Sequence, residues 1–144
     1  MITKKIFLLL IFFAVVHVSE SWAQAKNDSA IYNISNCVNI LDADKIVKTS
    51  VGYQYWFVDK DFIDGRTLKL SVVAPNSATH EPHSHQEDEF FFVLEGTAEF
   101  FLNGETTVGT AYSSFYCPPN VILRIKNVGE TELKYLVIKK YPRE

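Results

Sequence analysis

The sequence predicts an all-β fold, an antiparallel sandwich or barrel of short strands behind a short N-terminal arm. Three observations carry this. From Tyr53 onward, short apolar, aromatic and β-branched runs are broken by turn residues roughly every 8–12 positions. No segment in that stretch holds a long 3.6-residue apolar period. The length of 144 residues, 47% of them hydrophobic, suits one domain with a core of its own.

The elements follow in order. Residues 24–36 are polar (Asn27, Asp28, Ser29, Asn33, Ser35, Asn36) and read as a loose arm. Asp42 to Lys48 suits one or two helical turns with Asp42 as the cap. Tyr53 to Val58 is aromatic and β-branched, Asp64-Gly65 is a turn signal, and Thr67 to Val73 alternates as a strand until Pro75 and Asn76 break it. Strands then follow over Glu89–Leu94 and Thr97–Leu102, with Glu95-Gly96 between them. Asn103-Gly104 is a hairpin signal, because a two-residue turn there needs positive φ at both positions. Thr106–Val108, Ser113–Cys117, Val121–Lys126 and Glu132–Lys139 complete the set, separated by Gly109, Pro118-Pro119 and Val128-Gly129. Repeats, low-complexity tracts and a linker that would split the domain are absent from the sequence.

Composition excludes several classes. A formal charge of -3 argues against a nucleic-acid partner, which needs a basic stripe to meet phosphates. Two Cys are too few for a disulfide scaffold or a Cys-rich zinc module. Residues 1–23 read as a secretory signal: Lys4 and Lys5, the apolar run Ile6 to Val16, then small residues at Ala23 and Ala25. The apolar run is shorter than the roughly 20 residues a spanning helix needs, so no membrane association is expected after its removal. The expected organisation is a signal at 1–23, an arm at 24–50 and a β-domain at 51–144, exported to the periplasm or secreted. Loss of Lys4, Lys5 and Glu20 moves the formal charge to -4. Export permits a Cys37–Cys117 disulfide, while two free thiols packed as small hydrophobes are the other reading.

The chemistry concentrates in His80-Glu-Pro-His83-Ser-His85-Gln-Glu-Asp-Glu89, which holds every His except His17. In an extended chain His83 and His85 project to one face, and Glu89 shares it if a strand continues. Two imidazoles and a carboxylate converging on a point form a facial metal triad with open positions. An HxH pair in an acidic loop can also be a solvated surface feature. Glu89, however, opens the apolar strand Phe90 to Leu94, and a carboxylate there needs a partner.

His83-x-His85-x₃-Glu89-x₆-Gly96 resembles the first motif of the cupin superfamily. Pro118-Pro-Asn120-x₂-Leu123-x₃-Asn127 resembles its second motif in a degraded form. Pro118 and Asn127 fit, Asn120 stands in for Gly, and Leu123 stands where the family has a His. Ser77 and Tyr112 occupy positions where the family has Gly. The resemblance covers about residues 65–140. It implies a small jelly-roll, or double-stranded β-helix, barrel. It also implies a site for a divalent metal such as Fe, Mn, Ni or Zn, of which His83, His85 and Glu89 carry over as ligands.

Without the fourth His, three readings stay open. Three ligands suffice, or His80 swings in although its offset from His83 is odd, or metal is weak or absent. The expected function is an exported, metal-dependent cupin acting on a small molecule (dioxygenase-, isomerase- or sugar-processing-like). A non-catalytic cupin that binds a small molecule or carbohydrate is the alternative. By alternation Arg124 faces away from Leu123. Phe90, Phe92 and Leu94 lie opposite in parity to Glu89, Phe91 and Val93, so if the second set lines the barrel the first is an outward apolar stripe. Such a stripe needs cover, from a second copy in a homodimer or from Tyr53 to Val58 within the chain.

Overall fold

The computed structural model describes residues 33–61 and 65–142. The expected signal (1–23), the first part of the arm (24–32) and Asp64 of the expected turn lie outside them. The chain divides into two units, residues 1–39 and 40–144. In the first, the arm holds a helical turn that the polar sequence did not announce, α1 (Ile34–Cys37). Asn33 caps it by accepting from the Ser35 and Asn36 amides, while the Asn36 side chain accepts from the Asn33 amide.

The second unit is antiparallel β-structure, as expected. The helical turn expected over Asp42–Lys48 shrinks to one 3₁₀ turn at Ala43–Lys45, capped by the Asp42 carboxylate on the Asp44 amide. Among the described residues nine strands follow: β1 (Val47–Thr49), β2 (Gly52–Val58), β3 (Arg66–Val73), β4 (Glu89–Glu95), β5 (Ala98–Leu102), β6 (Glu105–Gly109), β7 (Ser114–Cys117), β8 (Leu123–Asn127) and β9 (Leu133–Lys140). They form a six-stranded sheet, β1-β2-β3-β9-β4-β7, and a three-stranded sheet, β6-β5-β8. The inward residues of both sheets meet in one core: Val73, Phe91, Val93, Leu133, Tyr135 and Val137 from the larger, Ala98, Phe100, Leu123 and Ile125 from the smaller. This is a small jelly-roll barrel whose strands alternate inward and outward.

Turn chemistry sets the register. Asn103 and Gly104 both take positive φ, and Leu102 pairs with Glu105 across them, as a primed two-residue hairpin requires. Gly96 sits at φ +89, and a Cβ there would come within 2.6 Å of the Glu132 carbonyl, so the motif glycine is required by close backbone approach. Asn120 takes φ 60, which Asn tolerates. Tyr112 takes φ 67 without a glycine's freedom, a strained conformation at a position where the motif has Gly.

Asn127 is the other motif residue with a clear structural task. Its fully buried amide donates to the Val73 and Thr131 carbonyls at 2.9 and 2.7 Å and accepts from the Gly129 amide at 2.9 Å. It therefore ties the end of β8 to β3 and to the turn before β9.

On the outer face of the larger sheet, Leu94 packs with Tyr55, Leu70 and Val72, near Tyr53 and Phe57. The Tyr55 hydroxyl donates to the Ile40 carbonyl at 2.9 Å. Intrachain packing thus covers one part of the apolar stripe. Phe90, Tyr116 and Ile138 remain exposed, with the Phe90 and Tyr116 rings 4.9 Å apart. Both cysteines are free thiols, Cys37 exposed and Cys117 buried. Burial, with Glu89 adding to it, pushes the Cys117 thiol up to about 12, so it is packing rather than chemistry.

Candidate functional site at the barrel mouth

A cavity of about 150 Å³ opens between the sheets. The connection from β3 to β4 brings Thr79, His80, His83 and His85 to it, and Glu89 enters from the first position of β4. Leu123 and Ile125 of β8 form an apolar wall, and Lys69, Tyr135 and Lys139 come from β3 and β9.

The two motif segments are joined by main chain. The His83 amide donates to the Leu123 carbonyl at 3.1 Å, and the Leu123 amide donates back at 2.8 Å. The Asn120 amide donates to the His85 carbonyl at 2.7 Å. Leu123 therefore stands directly across from His83, in the wall where the resemblance places a fourth ligand.

The predicted trio lines one cavity. The His83 and His85 rings stack with centroids 5.0 Å apart, and His80 meets His83 edge-on at 5.4 Å. His85 Nε2 lies 3.0 Å from Glu89 Oε1. It lies off the line a hydrogen bond needs, so this buried nitrogen has no hydrogen-bond partner. His83 Nδ1 is 2.8 Å from the Glu81 carbonyl. A carbonyl only accepts, so the proton sits on Nδ1 and the His83 Nε2 lone pair is left available. Among the described residues no three His, Cys, Asp or Glu side chains already stand in a ligating arrangement, so an ion would have to draw these in. Their donor chemistry fits one, because a cation between His85 Nε2 and Glu89 would satisfy a buried nitrogen that otherwise lacks a partner.

Electrostatics at the mouth come from groups the sequence did not single out. Lys139 is buried, and its Nζ lies 3.0 Å from His85 Nδ1 and 3.2 Å from Glu87 Oε2. Burial pushes the Glu89 carboxyl above its usual range, with Lys139 and Lys69 pulling the other way. Burial, reinforced by Lys139, holds His85 below the usual imidazole range. Burial also lowers Lys69, which Glu89 partly offsets. Arg124 points outward as alternation predicts, pairing with Glu99 at 3.1 Å. The inward parity of Leu133, Tyr135 and Val137 extends to Lys139, the one sequence signal that could have marked it.

The arrangement is that of a small antiparallel barrel with a ligand pocket at its mouth, built from an HxH-x₃-Glu segment and a facing apolar strand. Residues 69–139 match the Cupin domain family, and the chain belongs to the cupin superfamily as a small single-barrel member. Solved structures are similar in fold. One is a Cupin 2 conserved barrel domain protein from Salinispora arenicola, 18% identical, covering 72% of this chain and 87% of that one, with a TM-score of 0.60. Another is an RmlC-like cupin from Shewanella frigidimarina, 18% identical, covering 73% and 92%, with a TM-score of 0.61. A third is a predicted oxalate decarboxylase from Thermotoga maritima, 19% identical, covering 72% and 99%, with a TM-score of 0.61. No protein of curated function matches the chain in sequence.

Proposed function

We propose that this protein binds a small molecule in the cavity at the barrel mouth, where His83, His85 and Glu89 hold a divalent ion of iron, manganese, nickel or zinc that engages it. The observation that carries this is the buried His85 Nε2, facing the Glu89 carboxylate at 3.0 Å with no hydrogen bond of its own. His83 supports it, because the Glu81 carbonyl commits its Nδ1 and leaves Nε2 to ligate. Such an ion, when bound, supplies Lewis acidity toward an oxygen atom of the ligand. The chain's own groups shape the site: Leu123, Ile125 and Phe91 keep water from one wall, while Glu89 contributes charge on the other. Likeness in fold to a predicted oxalate decarboxylase supports a small-molecule site and does not select a reaction.

One observation favours a second reading, a pocket that binds its ligand with weak or no metal. An ammonium only donates, so Lys139 at His85 Nδ1 leaves the proton of the neutral ring on Nε2, the nitrogen a metal would need. Metal content of the purified full chain separates the two. Stoichiometric metal that disappears in His83→Ala supports the first. Metal-free protein, with a melting temperature unmoved by added manganese or zinc, sinks it and leaves the second.

Two further features belong to this reading: export with removal of residues 1–23, and pairing of two copies through the exposed Phe90, Tyr116 and Ile138 face. Mass measurement of the exported protein reads both. The intact mass should lack the first 23–25 residues, and the native mass should be twice that of one chain.

A further inference from the structure

Lys139 has two sets of partners within reach, and only one of them leaves His85 free to ligate. Its buried Nζ lies 3.0 Å from His85 Nδ1, 3.2 Å from Glu87 Oε2 and 5.0 Å from the centroid of the Tyr141 ring. Strand pairing fixes the backbone, because Lys139 stands between Thr67 of β3 and Glu89 of β4. Only the side chain can therefore change partner. The contact with His85 decides where the ring carries its proton. An ammonium donates and never accepts, so Nδ1 accepts and the neutral ring is protonated on Nε2. That nitrogen faces Glu89 Oε1 at 3.0 Å and is the one an ion would need. The other seat is Glu87 with the Tyr141 face. Both line a second, more open pocket with Gln86, Asp88 and Pro119. A carboxylate and an aromatic face each attract an ammonium, so the cation can be held there without His85.

We infer that Lys139 is a latch on the metal site. Seated on His85, it keeps Nε2 protonated and closed to an ion. Seated on Glu87 and Tyr141 alone, it frees the ring to ligate. The change is an exchange of tautomers: water takes the proton from Nε2 and returns one to Nδ1. The ring stays neutral and Lys139 stays an ammonium. With a proton on Nδ1, ring and ammonium would meet donor to donor, so ligation and the His85 seat exclude each other. Repulsion between the ion and the ammonium acts in the same direction. Metal affinity is then set by the balance between the two seats of one side chain. The inference rests on the metal reading above, whose regulation it describes.

The test is calorimetric titration of the full chain with zinc, with His83→Ala measuring zinc held elsewhere. Lys139→Met should bind zinc about tenfold more tightly than the parent, since it removes a charged hydrogen bond that only the metal-free site makes. Lys139→Arg keeps the cation and should not gain. Glu87→Gln weakens the outer seat and should lower affinity about threefold. That loss should vanish in the Lys139→Met background, because Glu87 acts through Lys139. Long-range proton–nitrogen NMR of the histidine rings reads the tautomer directly. His85 should carry its proton on Nε2 in the metal-free parent and on Nδ1 with zinc bound. Melting curves confirm that each variant is folded. Zinc binding by folded Lys139→Met that only equals the parent's, or a metal-free parent protonated on His85 Nδ1, overturns the latch and leaves the metal reading standing. Zinc bound by neither the parent nor Lys139→Met refutes the metal reading, and the latch falls with it.

Discussion

Asn127→Ala is expected to cost about 3 kcal/mol of folding stability, because it removes all three hydrogen bonds of a fully buried amide and strands the buried Val73 carbonyl. The Val73 carbonyl cannot reach water as a substitute partner without opening the join between β8 and β3. Since Asn127 belongs to the second motif, a ligand-contacting role is the natural rival. That rival predicts weakened ligand binding at near-normal stability. Urea unfolding decides between them: the midpoint should fall sharply with the slope unchanged. A midpoint within error of the parent would refute the structural role.

Leu123→His carries the second large effect and bears on the metal. Leu123 is 2% exposed and hydrogen-bonded through its backbone to His83 in both directions. An imidazole there would enter the cavity opposite the existing donors. Without metal the variant should be less stable by about 1–3 kcal/mol, since a polar ring replaces a buried aliphatic one-for-one. With metal it should gain. Affinity for manganese or zinc should rise at least about tenfold, roughly 1.4 kcal/mol, and the melting temperature should respond more strongly to added ion than the parent's does. An affinity equal to the parent's would mean that His83, His85 and Glu89 do not act on a shared ion.

Much of the fold was readable because period-two alternation and turn residues are local signals. Asn103-Gly104 located a hairpin, and Glu89, Phe91 and Val93 face inward as their parity required. Elements that depend on few residues were not readable. The turn at Ile34–Cys37 rests on side-chain caps from Asn33 and Asn36, residues that also typify loops. The three residues of β1 are too few to show alternation. The site was legible in its donors and not in its charge balance. Glu89 stood out by opening an apolar strand. Lys69 and Lys139 did not, because a lysine in a strand ordinarily marks the solvent face. Only the pairing of β3 with β9, Lys69 opposite Val137 and Thr67 opposite Lys139, brings both ammonium groups to one pocket.

The bridge between His83 and Leu123 is made entirely of backbone atoms. The distance between the two motifs is therefore indifferent to which side chains they carry. Such a scaffold lets its ligand set drift: a donor can be lost from this wall, or regained, by one substitution, with no strand having to move. A chain built this way can exchange one chemistry for another over evolutionary time while its barrel stays intact.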